Sequence, residues 1–200
     1  MEYVESQKNI NKEDISLLFE HFGSLIALSH ILNVTDLHAE NIHINDAYPV
    51  VLDLETMFTP GSHNNINNVR ASTSQLKDII QLSVARTLLI PHWLYVPDID
   101  TSIDMSALSE VRTERSSLSV LSWMNIGTIN MEAVPERPEY TAGGLLPFFN
   151  GQSISSAANV QHILEGFRKT YDMTAEKRFE LLRSLSELSS NCRIRVVLRN

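Results

Sequence analysis

The first clear pattern of hydrophobic and polar positions along the chain is helical. Apolar side chains recur every three or four residues from about Asp14 to Leu32. The residues that form this face are Ile15, Leu18, Phe22, Leu25, Ile26 and Ile31. The spacing predicts a long amphipathic helix, with Asn11 or Asp14 as its N-terminal cap.

Two short apolar runs follow this helix. Asn41–Ile44 and Val50–Leu54 flank the sequence Asn-Asp-Ala-Tyr-Pro at positions 45–49, which is a strong turn signal. The two runs therefore predict a β-hairpin directly after the helix.

The middle of the chain alternates between polar and apolar segments. Asparagines with Pro60 and Gly61 predict an exposed loop over 59–68, and the next apolar periodicity predicts a helix from Ser74 to Ile90 that Pro91 stops. Asp98–Ser109 is polar and predicts irregular structure. The apolar segment Leu118–Met131 is compatible with either a strand or a helix.

The last third predicts more helix. Prolines and glycines predict a loop or linker over Pro135–Gly151, one or two helices are expected from Ser155 to about Ser189, and Arg193–Arg199 is a candidate strand. The chain has no internal repeat. The expected fold class is α+β: a mostly helical unit with a short β-hairpin at its site.

Composition limits the possible functions. The 200 residues suit one domain or a sizeable piece of a larger protein, and 43% hydrophobic with 20% charged residues is typical of a globular chain. A net charge of −8 without a basic stripe argues against nucleic-acid binding. The single cysteine, Cys192, excludes an internal disulfide. With no signal-like N-terminus and no apolar run of membrane-spanning length, we expect a soluble, cytoplasmic protein.

Polar residues around the predicted hairpin point to phosphoryl transfer. Asn41 lies five positions after Asp36, and Asp53 lies twelve positions after Asn41, at the end of the second apolar run. The catalytic loop of protein kinases has the same Asp-to-Asn spacing, and a metal-binding Asp follows it on a short strand. Asp36 would accept the proton of a substrate hydroxyl, while Asn41 and Asp53 would hold Mg²⁺ on the ATP phosphates. His38 makes the loop Asp-x-His-x-x-Asn, as in lipid kinases.

Other interpretations of these residues remain open. A lone Asp before a strand is often a turn residue. His38 and His43, with nearby carboxylates, could suggest zinc, but they are five positions apart and no His-Glu-x-x-His pattern occurs. Asp53 lies in an apolar run, and a buried carboxylate without a partner is costly, so magnesium is the favoured partner.

Two parts of a phosphotransferase are missing from the sequence. The chain has no Gly-x-Gly-x-x-Gly segment, and only about a dozen residues precede the first helix, too few for a small β lobe with its phosphate-binding Lys. We therefore expect the chain to be a fragment that is inactive by itself.

The segment FGSLIALSHILNVTDLHAENIHINDAYPVVLDLETMF, residues 22–58, strongly resembles the dehydratase domain of class II lanthipeptide (lantibiotic) synthetases, the LanM type. The segments SVARTLLIP, DMSALS, GFRKTY and RVVLR follow in the family's order, so the resemblance covers nearly the whole chain from Phe22 onward. The family's usual Thr-Gly-Leu-Leu-Pro is replaced here by Thr-Leu-Leu-Ile-Pro at 87–91.

The resemblance implies a kinase-like fold of the lipid-kinase type and ATP- and Mg²⁺-dependent phosphorylation of Ser and Thr in a precursor peptide, followed by phosphate elimination. By position, Asp36 and His38 would activate the hydroxyl and handle phosphate, Asn41 and Asp53 would bind Mg²⁺, and Arg195 would assist elimination. Residues 1–200 would be part of a dehydratase domain, resembling a kinase C-lobe, without the nucleotide-gripping N-lobe and without the C-terminal cyclase domain that carries zinc.

The resemblance also implies partners. The leader and core of the precursor peptide would be bound, and an exporter complex at the membrane is a further candidate partner. Two rival interpretations keep the same residues: a lipid or small-molecule kinase lobe that phosphorylates without eliminating, and a non-catalytic kinase-like module that binds a peptide.

Overall fold

The computed structural model describes residues 9–59, 79–80, 82–96 and 100–190. These residues form an α+β arrangement with three α-helices: α1 (Asp14–Ile31), α2 (Val160–Glu176) and α3 (Arg178–Ser189). The β-strands are β1 (Ile42–Asn45), β2 (Tyr48–Val51), β3 (Trp93–Val96), β4 (Thr101–Asp104), β5 (Arg112–Arg115), β6 (Val120–Met124), β7 (Glu132–Glu136), β8 (Glu139–Ala142), β9 (Phe148–Phe149) and β10 (Gln152–Ser153). The β content of this part exceeds the mostly helical prediction.

The predicted first helix is confirmed as α1, but its cap differs from the prediction. Glu13 is the N-terminal cap residue and makes no capping hydrogen bond through its side chain. Asn11 instead contributes its backbone carbonyl, which accepts from Asp14 N at 3.1 Å, and its amide, which donates to Asp14 Oδ2 at 3.3 Å. These contacts close a turn before the helix, so neither predicted residue caps it.

The predicted hairpin is also confirmed, with different strand ends. β1 and β2 pair antiparallel from Ile42 opposite Val51 to Asn45 opposite Tyr48. The turn is reduced to Asp46 and Ala47, and Asp46 has the left-handed φ of 51° that Asp tolerates in tight turns. β2 therefore begins before Pro49 and stops at Val51, short of Asp53.

Four more antiparallel pairs lie where the sequence predicted mainly loops. β4 pairs with β3, which contradicts irregular structure over Asp98–Ser109, and β9 pairs with β10. β5 pairs with β8, and β6 pairs with β7 in the part of the sequence that lies between them. Leu118–Met131 therefore contributes a strand, and Pro135–Gly151 is not simply a linker. β6 and β7 are exposed along most of their length, so they lack the buried face that an alternating sequence pattern detects.

The predicted helix from Ser74 to Ile90 is not continuous in its described part. Residues 79, 80 and 82 are helical, but Val84–Thr87 form a 3₁₀ helix after Ser83, whose hydroxyl accepts from Ala85 N at 3.1 Å. Such local capping by serine competes with a continuing α-helix. The earlier part of this predicted helix, most of the predicted loop at 59–68 and the predicted strand Arg193–Arg199 lie outside the described residues.

Leu88 ends this turn in a conformation that suits glycine. Its backbone lies at φ 58° and ψ 20°, in the left-handed region that costs other residues about 1–2 kcal/mol. This is the position at which the lanthipeptide synthetase pattern has Gly.

We predict that Leu88→Gly will be more stable than Leu88→Ala by about 1 kcal/mol, although glycine removes more of the side chain. Elsewhere in a folded chain, Ala is normally the more stable of the two replacements. Urea unfolding of both variants measures the difference, and an Ala variant that equals or exceeds the Gly variant would contradict the strain at this residue.

Helices α1 and α2 cross at two glycines. A methyl group on Gly166 would lie 1.9 Å from the carbonyl oxygen of Glu20, and one on Gly23 would lie 2.0 Å from that of Ile163. Ser24 Oγ donates across the crossing to the Gly166 carbonyl at 3.3 Å. The two helices are therefore in backbone contact, which only glycine permits at these positions.

Within the described residues, one hydrophobic core lies between α1, the hairpin and the segments before β3, after β4 and after β8. Its largest fully buried side chains include Leu18, Phe19, Phe22, Leu37, Ile42, Ile44, Leu89 and Leu108. Leu37 lies inside the loop that carries the candidate site and Ile42 follows it directly, so the core holds that loop in place. Among the described helices, none combines the length and apolarity needed to cross a lipid bilayer.

Candidate functional site

The loop between α1 and β1 holds three of the predicted site residues in one compact turn. Asp36 has a left-handed φ of 64°. Non-glycine residues rarely adopt this conformation, and those that do are frequently found at functional sites. His38 then starts the 3₁₀ helix Ala39–Asn41, and its Nδ1 accepts from Glu40 N at 3.2 Å. The turn places Asp36, His38 and Asn41 on the same side of the loop.

Side-chain contacts connect these three residues. Asn41 Nδ2 donates to the Asp36 carbonyl at 2.8 Å, and His38 Nε2 lies 3.8 Å from Asp36 Oδ1. His38 Nε2, the ring nitrogen that faces the carboxylate, also lies 3.4 Å from Asn41 Nδ2. The Asp36 carboxylate itself is 55% exposed, so it is accessible to a substrate hydroxyl.

Asp53 lies next to this loop but is not buried, which corrects the sequence-based expectation. It follows the end of β2, is exposed, and accepts from Glu55 N at 2.8 Å through Oδ1. Leu52 N donates to the Asn41 carbonyl at 2.9 Å, which extends the hairpin register and brings the chain of Asp53 back beside Asn41. The burial argument for a metal at Asp53 is therefore wrong, and the pairing of Asp53 with Asn41 as metal ligands stays a prediction.

Thr56 connects the segment after Asp53 to the loop that carries Asp36. Its hydroxyl donates to the backbone carbonyl of Thr35, the residue before Asp36. Phe58 N donates to the Leu32 carbonyl at 2.9 Å, which holds the same segment against the end of α1. Thr56 therefore joins the Asp-Leu-Glu-Thr segment to the Thr-Asp-Leu-His segment.

Two distant segments hold the loop from its other side. Leu37 N donates to the Thr87 carbonyl at 2.8 Å, and Ala39 N donates to the Met105 carbonyl at 3.0 Å. His38 also forms an isolated antiparallel bridge with Ser106.

The segment around Ser106 is itself rigid and buried. The Asp104 carboxylate, only 8% exposed, accepts from Ser106 N at 3.0 Å and from Ser106 Oγ at 2.6 Å. Sequence reasoning assigned these residues no role in the site; the available signal was the motif Asp-Met-Ser-Ala-Leu-Ser at 104–109.

Perturbed pKa values occur behind the loop and on the β3–β4 hairpin. Burial, and then the nearby Arg86 guanidinium, lower the pKa of His30, and burial lowers the pKa of Arg86. Arg86 donates to the His30 carbonyl at 2.6 Å. Hydrogen bonds from Ser117 and then Tyr95 lower the pKa of Asp100 at an exposed position. These shifts reflect packing and local hydrogen bonds and do not involve the predicted catalytic residues.

The side chains at the loop include the types of oxygen ligand that magnesium prefers. Mg²⁺ is held in phosphotransferases by one or two carboxylates with phosphate oxygens and water. Asp53 offers a carboxylate, and the contact from Asn41 to Asp36 uses the amide nitrogen, not the amide oxygen that a cation would need.

Zinc at His38 and His43 is not supported. Among the described residues, one group of His, Cys, Asp or Glu side chains has three ligand atoms close enough to share an ion. It consists of Glu20, His162 and Glu165, and includes neither His38 nor His43. The predicted Arg195 and the single cysteine, Cys192, lie outside the described residues, so the role of Arg195 stays a prediction.

Comparison with known proteins agrees with the motifs. A family model described as "Domain of unknown function (DUF4135)" matches residues 1–200. A curated relative, the lacticin 481/lactococcin biosynthesis protein LcnDR2 of Lactococcus lactis subsp. lactis, is 25% identical over 206 residues, a match that covers 100% of this chain and 22% of the relative. The chain thus spans about a fifth of the length of the curated relative that it matches.

Proposed function

The chain belongs to the DUF4135 family, a domain of class II lantibiotic synthetases of the LanM type, and from this we propose that it takes part in ATP-dependent dehydration of Ser and Thr in a lanthipeptide precursor. The relative's name places that protein in lacticin 481/lactococcin biosynthesis, and we infer that a modifying enzyme of this kind acts on a precursor peptide. The finer assignment has two parts: phosphorylation rests on the residues of the loop, and elimination rests on Arg195.

One observation carries this assignment: the compact turn of Asp36, His38 and Asn41 beside Asp53. The 2.8 Å hydrogen bond from Asn41 to the Asp36 backbone fixes the relative position of the candidate base and the candidate metal ligand. Phosphoryl transfer depends mainly on such positioning, because the protein supplies little covalent chemistry of its own. We therefore propose a kinase-like lobe of the lipid-kinase type around this loop.

In the first step, Asp36 would take the proton of the Ser or Thr hydroxyl. The hydroxyl oxygen would attack the γ-phosphorus of ATP, and ADP would leave. His38, with Nε2 3.8 Å from the Asp36 carboxylate, would orient that carboxylate and contact the phosphoryl oxygens. Asn41 and Asp53 would hold Mg²⁺, which neutralises charge on the ATP phosphates when bound.

In the second step, a base removes the Cα proton of the phosphorylated residue, the C–H electron pair becomes the Cα=Cβ double bond, and phosphate leaves with the C–O pair. Arg195 is the residue proposed to stabilise the departing phosphate, since a guanidinium stays charged and can pair two donors with phosphate oxygens. The net change per residue is the loss of one water and the conversion of ATP to ADP and phosphate.

The test is to incubate the intact protein with ATP, Mg²⁺ and a lanthipeptide precursor, and to follow the peptide by mass spectrometry. We expect the loss of one water per modified Ser or Thr. A stable gain of phosphate would favour the lipid- or small-molecule-type kinase instead. An unmodified peptide that binds without ATP turnover would favour the non-catalytic module.

An Arg195→Ala variant separates the two steps. It should still phosphorylate the precursor, and phosphopeptide should accumulate where the wild type shows water loss. Unmodified peptide, or normal dehydration, would show that Arg195 does not act in elimination.

A further inference from the structure

A second cluster of ligand-type side chains lies across the helix crossing, away from the Asp36 loop. Glu20 on α1 faces His162 and Glu165, which are three positions apart on α2 and share one helical face. One ligand atom from each of the three residues lies within 4.8 Å of the other two. The dehydration chemistry proposed above uses none of these residues.

The histidine at the centre of this cluster has an unsatisfied nitrogen. His162 Nδ1 is buried, although the ring is 39% exposed, and it has no hydrogen-bond partner among the described residues. Its neighbours are Glu165 Oε2 at 3.7 Å and Glu20 Oε1 at 4.0 Å. Both distances exceed those of a hydrogen bond, so the two carboxylates face the nitrogen without satisfying it.

These separations are close to those of ligands that share a metal ion. Ligand atoms about 2.0–2.2 Å from a tetrahedral zinc lie about 3.3–3.6 Å from one another. Shifts of a few tenths of an ångström in the two glutamate side chains would bring each oxygen within this range of His162 Nδ1. One imidazole nitrogen and two carboxylate oxygens also suit zinc better than Mg²⁺ or Ca²⁺, which prefer oxygen ligands alone.

The helix crossing keeps the cluster in place. Because a methyl group on Gly166 would lie 1.9 Å from the carbonyl oxygen of Glu20, the backbone that carries one ligand is in direct contact with the helix that carries the other two. A site on rigid elements needs little reorganisation to bind its ion.

We propose that Glu20, His162 and Glu165 form a zinc site with three protein ligands that clamps α1 to α2. A fourth position would be taken by water or by a ligand from another molecule. The alternative is an ion pair between a protonated His162 and the two carboxylates, with no metal.

The experiment measures zinc binding by the purified protein after chelator treatment, by calorimetric titration, in the wild type, His162→Gln and Glu165→Gln. We expect both variants either to lose one equivalent of bound zinc or to bind it with a much higher Kd. The increase should exceed the roughly 10–100-fold that results from losing an outer-shell partner. Zinc should raise the Tm of the wild type in a concentration-dependent way, and raise it less in both variants.

Glu176→Gln is the matched control, since Glu176 is an exposed glutamate on the same helix outside the cluster. It should bind zinc and respond in Tm as the wild type does. Equal zinc binding by all four proteins would overturn the site and leave the ion pair. Because the readout is metal binding and not peptide modification, failure of this proposal is distinguishable from failure of the dehydratase proposal.

Discussion

Replacing Asp53 by Asn in the intact protein is expected to lower phosphoryl transfer to the precursor peptide by at least about 100-fold, the scale of losing one preorganised electrostatic group at an active site. The change removes the carboxylate charge that would hold Mg²⁺ and leaves the side-chain volume almost unchanged. Asp53 is exposed, and the Asn oxygen can still accept from Glu55 N, so the fold should be unaffected. Single-turnover measurement of phosphopeptide formation and a thermal melt give both results.

Asp46→Asn is the matched control for this substitution. Asp46 is an exposed carboxylate on the same hairpin, at a left-handed turn position that Asn occupies equally well. It should keep wild-type activity. If Asp53→Asn also keeps activity, or loses it only by unfolding, Asp53 is not a ligand and the non-catalytic module becomes the better interpretation.

Gly166→Ala is expected to destabilise the protein by about 2 kcal/mol, the largest stability effect that we predict. The new methyl group would meet a backbone carbonyl at 1.9 Å, and a backbone cannot move aside as a flexible side chain can. Overpacking in a close-packed interior costs about 1–3 kcal/mol and sometimes more, whereas the helix preference of Ala over Gly returns only about 1 kcal/mol. The free energy of unfolding in urea measures the result.

Lys169→Ala on the same helix provides the comparison, because Lys169 is exposed and its replacement should change stability by less than about 0.5 kcal/mol. Gly23→Ala should resemble Gly166→Ala, since its methyl group would meet the opposite helix at 2.0 Å. If Gly166→Ala left the free energy of unfolding unchanged, α1 and α2 would have to move apart at little cost to admit the methyl group.

Local signals in the sequence were sufficient for the parts of the fold that depend on neighbouring residues. The helical spacing from Ile15 onward predicted α1 almost to the residue, and the turn at 45–49 predicted the hairpin. Both elements bury a regular apolar face, which is what periodicity detects. The spacing from Asp36 to Asn41 likewise identified residues that the structure brings into contact.

The elements that sequence reasoning missed depend on partners that are distant or weakly patterned. β4 is polar and exists because it pairs with β3, and the helix expected through Ser83 gives way to a serine-capped 3₁₀ turn. The expected burial of Asp53 failed for a simpler reason: the apolar run Val50–Leu54 predicted a strand that continues past Val51, where the structure ends it. An error of three residues at a strand end changed an expected buried carboxylate into an exposed one.

The backbone bonds from Leu37 to Thr87 and from Ala39 to Met105 also bear on how the chain reaches its native state. Each closes a loop of many tens of residues, and the entropy of that closure must be lost before the contact stabilises anything. The helices and the hairpin can form from local contacts alone, but the turn at Asp36 cannot. A partly folded chain with all its helices would therefore still lack the candidate site, so helical content by circular dichroism would overestimate the fraction of molecules that are competent for chemistry.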